Sequence, residues 1–190
     1  MFFVQASALS AAKPLVGVKK GDWIEYSMQI NGPEVDAARN ITWYRCDVLD
    51  VDGGCIMVNK TALMINGTLQ SSVWNFNLSS GQVFGWVIVP ANLCGGETFF
   101  DVFKGANITV ESEEQKMLLG AARTVTHGSI PGMVEKEWDK TTGVYVHAVE
   151  HTTNYTILTD AVATNLWNPN PSEQTYRHFT SRLHHAPYSQ

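Results

Sequence analysis

Residues 41–64 read ITWYRCDVLDVDGGCIMVNKTALM, and the fold class turns on how they are read. Two runs rich in β-branched and aromatic residues, Ile41 to Val51 and Ile56 to Met64, flank Asp52-Gly53-Gly54-Cys55, the composition of a hairpin with a tight glycine turn. With Gly53-Gly54 as the two-residue loop, Lys60 is expected opposite Asp47, Trp43 opposite Met64 and Leu49 opposite Val58. The neighbouring register sets Lys60 against Arg45, and the like charges disfavour it. In either register Cys46 faces position 59 or 61 rather than Cys55, so no Cys46–Cys55 disulfide is expected. Pairing of Cys94 with Cys46 or Cys55, and three free thiols, both remain open.

Outward from this hairpin, alternating apolar and polar runs recur between Gly, Asn, Asp and Pro punctuation. They predict strands near 22–30, 39–51, 55–64, 67–77, 83–89, 97–103, 106–112, 116–127, 132–139, 143–151 and 154–165. Short connections favour hairpins over parallel crossovers. The expected fold is therefore all-β, an antiparallel meander of about ten strands forming a curved sheet, half-barrel or sandwich with few or no helices. Ser112-Glu113-Glu114-Gln115 has the form of a helix capping box, but Gly120 interrupts the helix formers Lys116 to Leu119, and a hairpin turning near Glu113 is the reading adopted. Asp139-Lys140-Thr141-Thr142-Gly143 reads as a turn between strands; it resembles the phosphorylated loop of cation-pumping ATPases for three residues and departs at the fourth. A weak internal echo links Val18–Ile24 with Leu93–Phe99, each a glycine-containing loop with an acidic residue opening a strand.

A chain of 190 residues with 44% hydrophobic and 16% charged residues has the size and apolar content of one domain with a core. The net charge of −5 and the lack of a Lys/Arg run argue against a nucleic-acid partner. No stretch approaches the roughly 20 apolar residues of a membrane-spanning helix. Met1-Phe2-Phe3-Val4 ahead of Ala6-Ser7-Ala8 reads as the end of a secretory signal, without a basic n-region. The expected organisation is a signal remnant or N-terminal arm over 1–12, a single antiparallel β domain over 13–167 and a polar tail over 168–190. Six Asn-x-Ser/Thr sequons begin at Asn40, Asn59, Asn66, Asn77, Asn107 and Asn154, against roughly two expected by chance. That density favours an N-glycosylated surface in an extracytoplasmic setting, secreted or at the cell surface. A Thr- and Asn-rich β surface is the plainer alternative.

Five stretches in order, G-V-K-K-G-D-W-I-E-Y (Gly17 to Tyr26), V-I-V-P-A-N-L (Val87 to Leu93), G-A-A-R-T-V (Gly120 to Val125), W-D-K-T-T-G-V (Trp138 to Val144) and T-N-L-W (Thr164 to Trp167), carry a resemblance. Together they resemble a family of uncharacterised archaeal extracytoplasmic proteins, secreted or membrane-anchored β domains. The resemblance implies location and fold type, and it carries over no activity and no catalytic residues. Where the family has Lys-Val-Gly-Asp after the P-A-N-L element, this chain has Cys94-Gly95-Gly96-Glu97. More remotely, the W-D-K-x-T-G hairpin on a curved sheet is similar to the half-barrels of periplasmic lipoprotein carriers, a likeness of fold rather than function.

Candidate sites are few. His147 and His151 lie four apart on one strand, too far apart for one metal ion, and His178, His184 and His185 fall in the polar tail. His127 receives no role. Glu135 and Glu137, beside Lys136 and Lys140, read as a solvated charged surface, and Glu111, Glu113 and Glu114 as a crowded turn. No nucleophile elbow, zinc-protease motif, phosphate loop or dinucleotide fingerprint occurs, so no catalytic residue, cofactor or metal site is assigned, and an enzyme is the less favoured reading. Tryptophans 23, 43, 74, 86, 138 and 167 are spread over separate elements; core packing is their ordinary role. The functional alternative is a pocket lined by Trp43, Met64, Trp86 and Trp138 for a lipid or other apolar ligand on the concave face. Two functions fit these residues: a non-catalytic cell-surface module contacting proteins or glycans, and a carrier of an apolar small molecule. Native mass spectrometry of protein purified from its source is expected to show glycan masses on the intact chain. A bare polypeptide mass would remove the glycoprotein reading.

Overall fold

The computed structural model describes residues 16–32, 41–80, 82–83 and 87–167. The expected N-terminal arm, the tail with its three histidines, Trp86 and Asn40 lie outside them. Eleven strands form one curved, unclosed sheet: β1 (Trp23–Asn31), β2 (Ile41–Asp52), β3 (Cys55–Met64), β4 (Leu69–Asn77), β5 (Gln82–Val83), β6 (Thr98–Asp101), β7 (Ala106–Leu118), β8 (Ala121–Ile130), β9 (Val134–Asp139), β10 (Tyr145–His151) and β11 (Thr156–Thr164). A short 3-10 turn over Leu78–Ser80 is the one helical piece among the described residues. The order across the sheet is β4-β3-β2-β1-β11-β10-β9-β8-β7-β6-β5, two meanders joined where the first strand pairs with the last. One expectation fails here. Strands β5 and β6 are parallel, because the connection over residues 84–97 is long enough to bring the chain back in the same direction.

The decisive hairpin forms with a register of its own. Near the turn, Asp52 faces Cys55 and Val51 faces Ile56, as the glycine loop requires. A bulge between Val48 and Asp50 then absorbs one residue, so Val48 faces Val58, Cys46 faces Lys60 and Trp43 faces Leu63. The expected Asp47–Lys60 and Trp43–Met64 pairs are therefore not made. Lys60 alternates with the buried Ile56, Val58 and Ala62 along β3 and so faces inward, where it is 8% exposed; the insertion in β2 puts Cys46 rather than Asp47 opposite it.

The second misplaced turn is at the end of β7. Strand β7 runs on through Glu113, Glu114 and Lys116 and turns at Leu119-Gly120, whose φ values of +47° and +88° match the two left-handed positions of a type I′ hairpin. The charged residues at 111–114 thus sit on a strand rather than in a turn. Likewise Lys136 is 3% exposed on the inner face and its ammonium lies 2.9 Å from the fully buried Asp101 carboxylate, so it is no solvated neighbour of Glu135.

The internal echo is realised bond for bond. Asp22 accepts from the backbone N–H of Lys19 and Glu97 from that of Cys94, while Asp22 N–H and Glu97 N–H donate back to the Lys19 and Cys94 carbonyls. Gly21 and Gly96 then donate to the carbonyls of Val48 and Val110, each beside a bulge. The same turn docks on the next strand in both meanders.

The inner face carries the core. Trp138, fully buried, packs edge-on against Phe99 (5.6 Å) and Tyr145 (6.2 Å); Tyr26 stacks on Tyr44 at 4.6 Å and its hydroxyl donates to the Tyr145 carbonyl. At one pole the five stretches quoted above converge. Asn165 accepts from Trp23 N–H and donates to the Gly21 carbonyl, Thr164 donates to the Trp23 carbonyl, and Val89 and Asn92 N–H donate to Gly143 and Lys140. A Cβ on Gly143 would stand 2.1 Å from the Val89 carbonyl oxygen, and one on Gly17 2.3 Å from that of Thr141, so both approaches require glycine. At the centre of this pole the fully buried Asp139 carboxylate accepts from Arg123 Nε (2.7 Å) and Nη2 (3.0 Å) and from Thr142 N–H and hydroxyl (2.8 Å each). All three cysteines are free, Cys46 buried and Cys55 and Cys94 exposed. Asp139→Ala leaves a guanidinium and a buried backbone N–H without their acceptor, and is expected to cost about 3–5 kcal/mol in urea unfolding. A cost below about 1 kcal/mol would show that the turn stands without its carboxylate.

Candidate functional site

Of the four residues expected to line a concave pocket, Trp86 lies outside the described residues and the other three are not brought together in one opening. Trp138 is in the core and Met64, on the same inner face, is 8% exposed; Trp43 lies on the opposite, outer face, because it alternates with the buried Tyr44 and Cys46. Between the inner-face side chains the remaining cavities measure about 20 Å³ or less. A drug-sized guest needs roughly 300 Å³ or more, so these cavities among the described residues offer room for a water and not for a ligand. What it holds instead is buried charge. Burial depresses the Lys60 ammonium from its ordinary 10.5 to about 8, against the opposing pull of Cys46, and burial raises the Cys46 thiol to about 12. Lys60 also lies over the Tyr44 ring at 4.6 Å.

The outer face presents the larger opening. The tip of the β7–β8 hairpin and Trp167, just beyond β11, overhang the strands β9, β10 and β11, and the Trp167 indole N–H donates to the Leu118 carbonyl at 3.1 Å. The Arg123 guanidinium lies 5.4 Å from the Trp167 ring while still bound to Asp139, so the polar hub at the pole holds this overhang in place. Beneath it lies an open cleft of about 430 Å³. Its apolar side is Leu118, Val146, Ala161 and Trp167; its polar side is Lys116, Glu137, His147 and Asp160.

That polar side is part of a row running straight across the sheet. On neighbouring strands His127 faces Glu137, Glu137 faces His147 and His147 faces Asp160, with Glu114 of β7 diagonal to His127. Imidazole and carboxylate therefore alternate over five strands. His147 Nδ1 lies 2.7 Å from Asp160, His127 Nε2 2.8 Å from Glu114 and His127 Nδ1 3.4 Å from Glu137. The Lys116 ammonium reaches both Glu114 (2.6 Å) and Glu137 (2.8 Å). Hydrogen bonds first from Lys116 and then from His127 hold the Glu114 carboxyl below the usual range. For Lys116, partial burial lowers the ammonium's affinity for its proton, and the bonds to Glu114 and Glu137 more than reverse this. The donor atoms of Glu114, His127 and Glu137 all lie within 4.8 Å of one another, the one such metal-capable group among the described residues.

Residue spacing gave no sign of this row, since its members come from five strands. Placing the β7–β8 turn at Leu119-Gly120, the one glycine-bearing dipeptide between the two runs, would have brought Glu114 beside His127. Of the sequons, Asn66, Asn77, Asn107 and Asn154 are exposed and Asn59 is half-buried on the outer face of β3.

No family model matches the chain, and no curated protein matches it. Among solved structures it is similar to the tryptamine complex of the amine binding protein of Rhodnius prolixus, with 11% identity and a TM-score of 0.31 over 82% of this chain and 69% of that one. No helix of the described residues is long and apolar enough to cross a membrane.

The buried Lys60 yields a pH signature. Its proton is released near pH 8 in the folded chain and near 10.5 in the unfolded one, so unfolding takes up a proton between those values and rising pH favours the fold. Lys60→Met is expected to be more stable than the parent at neutral pH, with the gap narrowing as pH climbs from about 8 to about 10.5. A gap that stays constant in urea unfolding over that window would mean that Lys60 is not depressed by burial.

Proposed function

We propose that this chain is a small-molecule-binding β domain whose site is the outer-face cleft, and that the ligand class is an amine borne on an apolar body. The observation that carries the reading is the pairing, in one opening of about 430 Å³, of an apolar side with a carboxylate side. Trp167, Leu118, Val146 and Ala161 suit a flat or aliphatic body, which gains by leaving water. Among the fixed charges lining the cleft, Glu137 and Asp160 outnumber the single ammonium of Lys116, which Glu114 and Glu137 already engage. The carboxylate of Asp160, 42% exposed beside His147, is the group placed to receive a ligand ammonium. This moves the small-molecule reading from the filled concave face to the other side of the sheet, with Trp167 in place of Trp43, Met64 and Trp138.

An extracytoplasmic setting, with N-glycans on the acceptor asparagines, belongs to the same proposal. It is supported by the density of sequons and by the exposure of four of the five described ones. A second reading, a surface module contacting a protein partner, is favoured by one feature. The outer face of the edge strand β4 exposes Leu69 (66%) and Val73 (57%) beside Met57 and the half-buried Leu63 of β3.

Calorimetric titration with arylalkyl amines, and with their neutral and carboxylate analogues of equal size, tests the main reading. The amines are expected to bind and the carboxylates to fail. Asp160→Asn and Trp167→Ala should each weaken amine binding by about tenfold or more. Equal affinity for all three analogues, or indifference to both substitutions, would refute it.

A further inference from the structure

We infer that Glu114, His127 and Glu137 form a site for a divalent transition-metal ion of the zinc type, which the Lys116 ammonium occupies as a built-in cation and from which the ion displaces it. The inference does not depend on what the neighbouring cleft binds.

Three observations converge on it. The first is the donor set. Two carboxylates and one imidazole, with donor atoms already within 4.8 Å of one another, match the ligands such an ion takes, and the imidazole selects against magnesium and calcium, which prefer oxygen alone. Metal bonds of about 2.0–2.2 Å require the three donors to close by roughly an ångström. Glu114, 45% exposed on the outer face of β7, can make that movement by side-chain rotation alone.

The second is that a cation already stands at the point where the ion belongs. Lys116 Nζ lies 2.6 Å from Glu114 Oε1 and 2.8 Å from Glu137 Oε2, and Glu114 Oε1 in turn lies 2.8 Å from His127 Nε2. An ion in place of the ammonium meets one oxygen of each carboxylate, and the imidazole nitrogen that completes the set is already in contact with one of those oxygens. The lysine side chain is 35% exposed at the hairpin, so its release needs no change in the core.

The third is the support behind the imidazole. His127 Nδ1 points at the other oxygen of the same glutamate, Glu137 Oε1, at 3.4 Å. In the metal-free chain Nε2 is the nitrogen hydrogen-bonded to Glu114; when an ion takes both of these donors the imidazole proton moves to Nδ1, and Glu137 Oε1 is the acceptor standing there, the arrangement that commonly orients metal-bound histidines. His147 then flanks Glu137 on the next strand and is itself held by Asp160.

Binding involves no redox step: the ion coordinates, Lys116 keeps its proton and swings to solvent, and water completes the coordination. Because Lys116 and Glu137 both line the cleft, occupancy exchanges the single positive charge of the ammonium there for the two of the ion.

The test is zinc titration of the full chain by calorimetry at neutral pH, with cobalt(II) as a spectroscopic probe and circular dichroism to verify folding. His127→Ala and, independently, the more conservative Glu114→Gln should each abolish one equivalent of zinc binding while leaving any binding by histidines 178, 184 and 185 unchanged. Lys116→Met should tighten the same equivalent by about tenfold, since it removes a competing cation. It should also develop the visible absorption of low-coordinate cobalt, absent when His127→Ala is added. Unchanged stoichiometry in both loss variants, or no tightening in Lys116→Met, would overturn the inference.

Discussion

A carboxylate removed from water must be met by donors on every side, and in this protein the Asp139 carboxylate is met by Arg123 and by the turn that comes after it. Satisfying that one group fixes the shape of residues 139–143. The fixed turn then supplies the carbonyls on which residues 89 and 92 hang and the flat surface that Gly17 approaches. Through Arg123 the same group positions the Trp167 ring, and through Trp167 the tip of the β7–β8 hairpin. The cleft on the outer face is thus a consequence of a buried charge at the pole, and its walls are only as fixed as that chain of contacts.

What was legible in the sequence was local. Alternation of apolar and polar residues located nearly every strand, glycine-bearing dipeptides located most turns, and the two echoing loops proved to share their hydrogen bonds. The stretches quoted for the family resemblance all proved to meet at one pole, where glycine, a buried acid and capping amides are demanded by backbone contact. What was not legible was anything that depends on an inserted residue or on a distant pairing. One residue taken up between Val48 and Asp50 reverses the faces of β2 beyond it and brings Cys46 rather than Asp47 opposite the inward-facing Lys60, and a charge-pairing argument across the hairpin cannot see it, because an Asp47–Lys60 pair is as good on paper as the burial of lysine is costly in the fold. At β7 the polar run Ser112 to Gln115 was read as the turn, too early in the chain, and with it went the view of Glu114 beside His127. The parallel pair β5–β6 was missed for a similar reason: nothing in a two-residue strand declares its direction.

The sheet also inverts an ordinary assumption about its two faces. Its concave side, where a carrier would keep a guest, is closed by Trp138, Tyr26, Tyr44 and Tyr145, and the charges of Lys60, Lys136 and Asp101 are packed among them. Its convex side carries the alternating acids and imidazoles. Burial raises the hydroxyl pKa of all three tyrosines well above the usual value, so the interior remains without phenolate charge and its lysines meet rings and carboxylates instead. The larger opening is thereby displaced to the side of the sheet that strands normally give to solvent, and a protruding hairpin is what turns that flat side into a recess.

The pairing of β1 with β11 sets the two ends of the domain side by side in the middle of the sheet, about as far apart in sequence as two strands here can be. On a ribosome the opening strand emerges first and waits for a partner made last. Until then each meander ends in a raw edge, β1 on one and β10 on the other, with donors and acceptors bare to any passing strand. Contacts of such long range are slow to find, and the half-made protein is at its most adhesive in that interval. Its assembly is therefore a race between the last strand and a stranger.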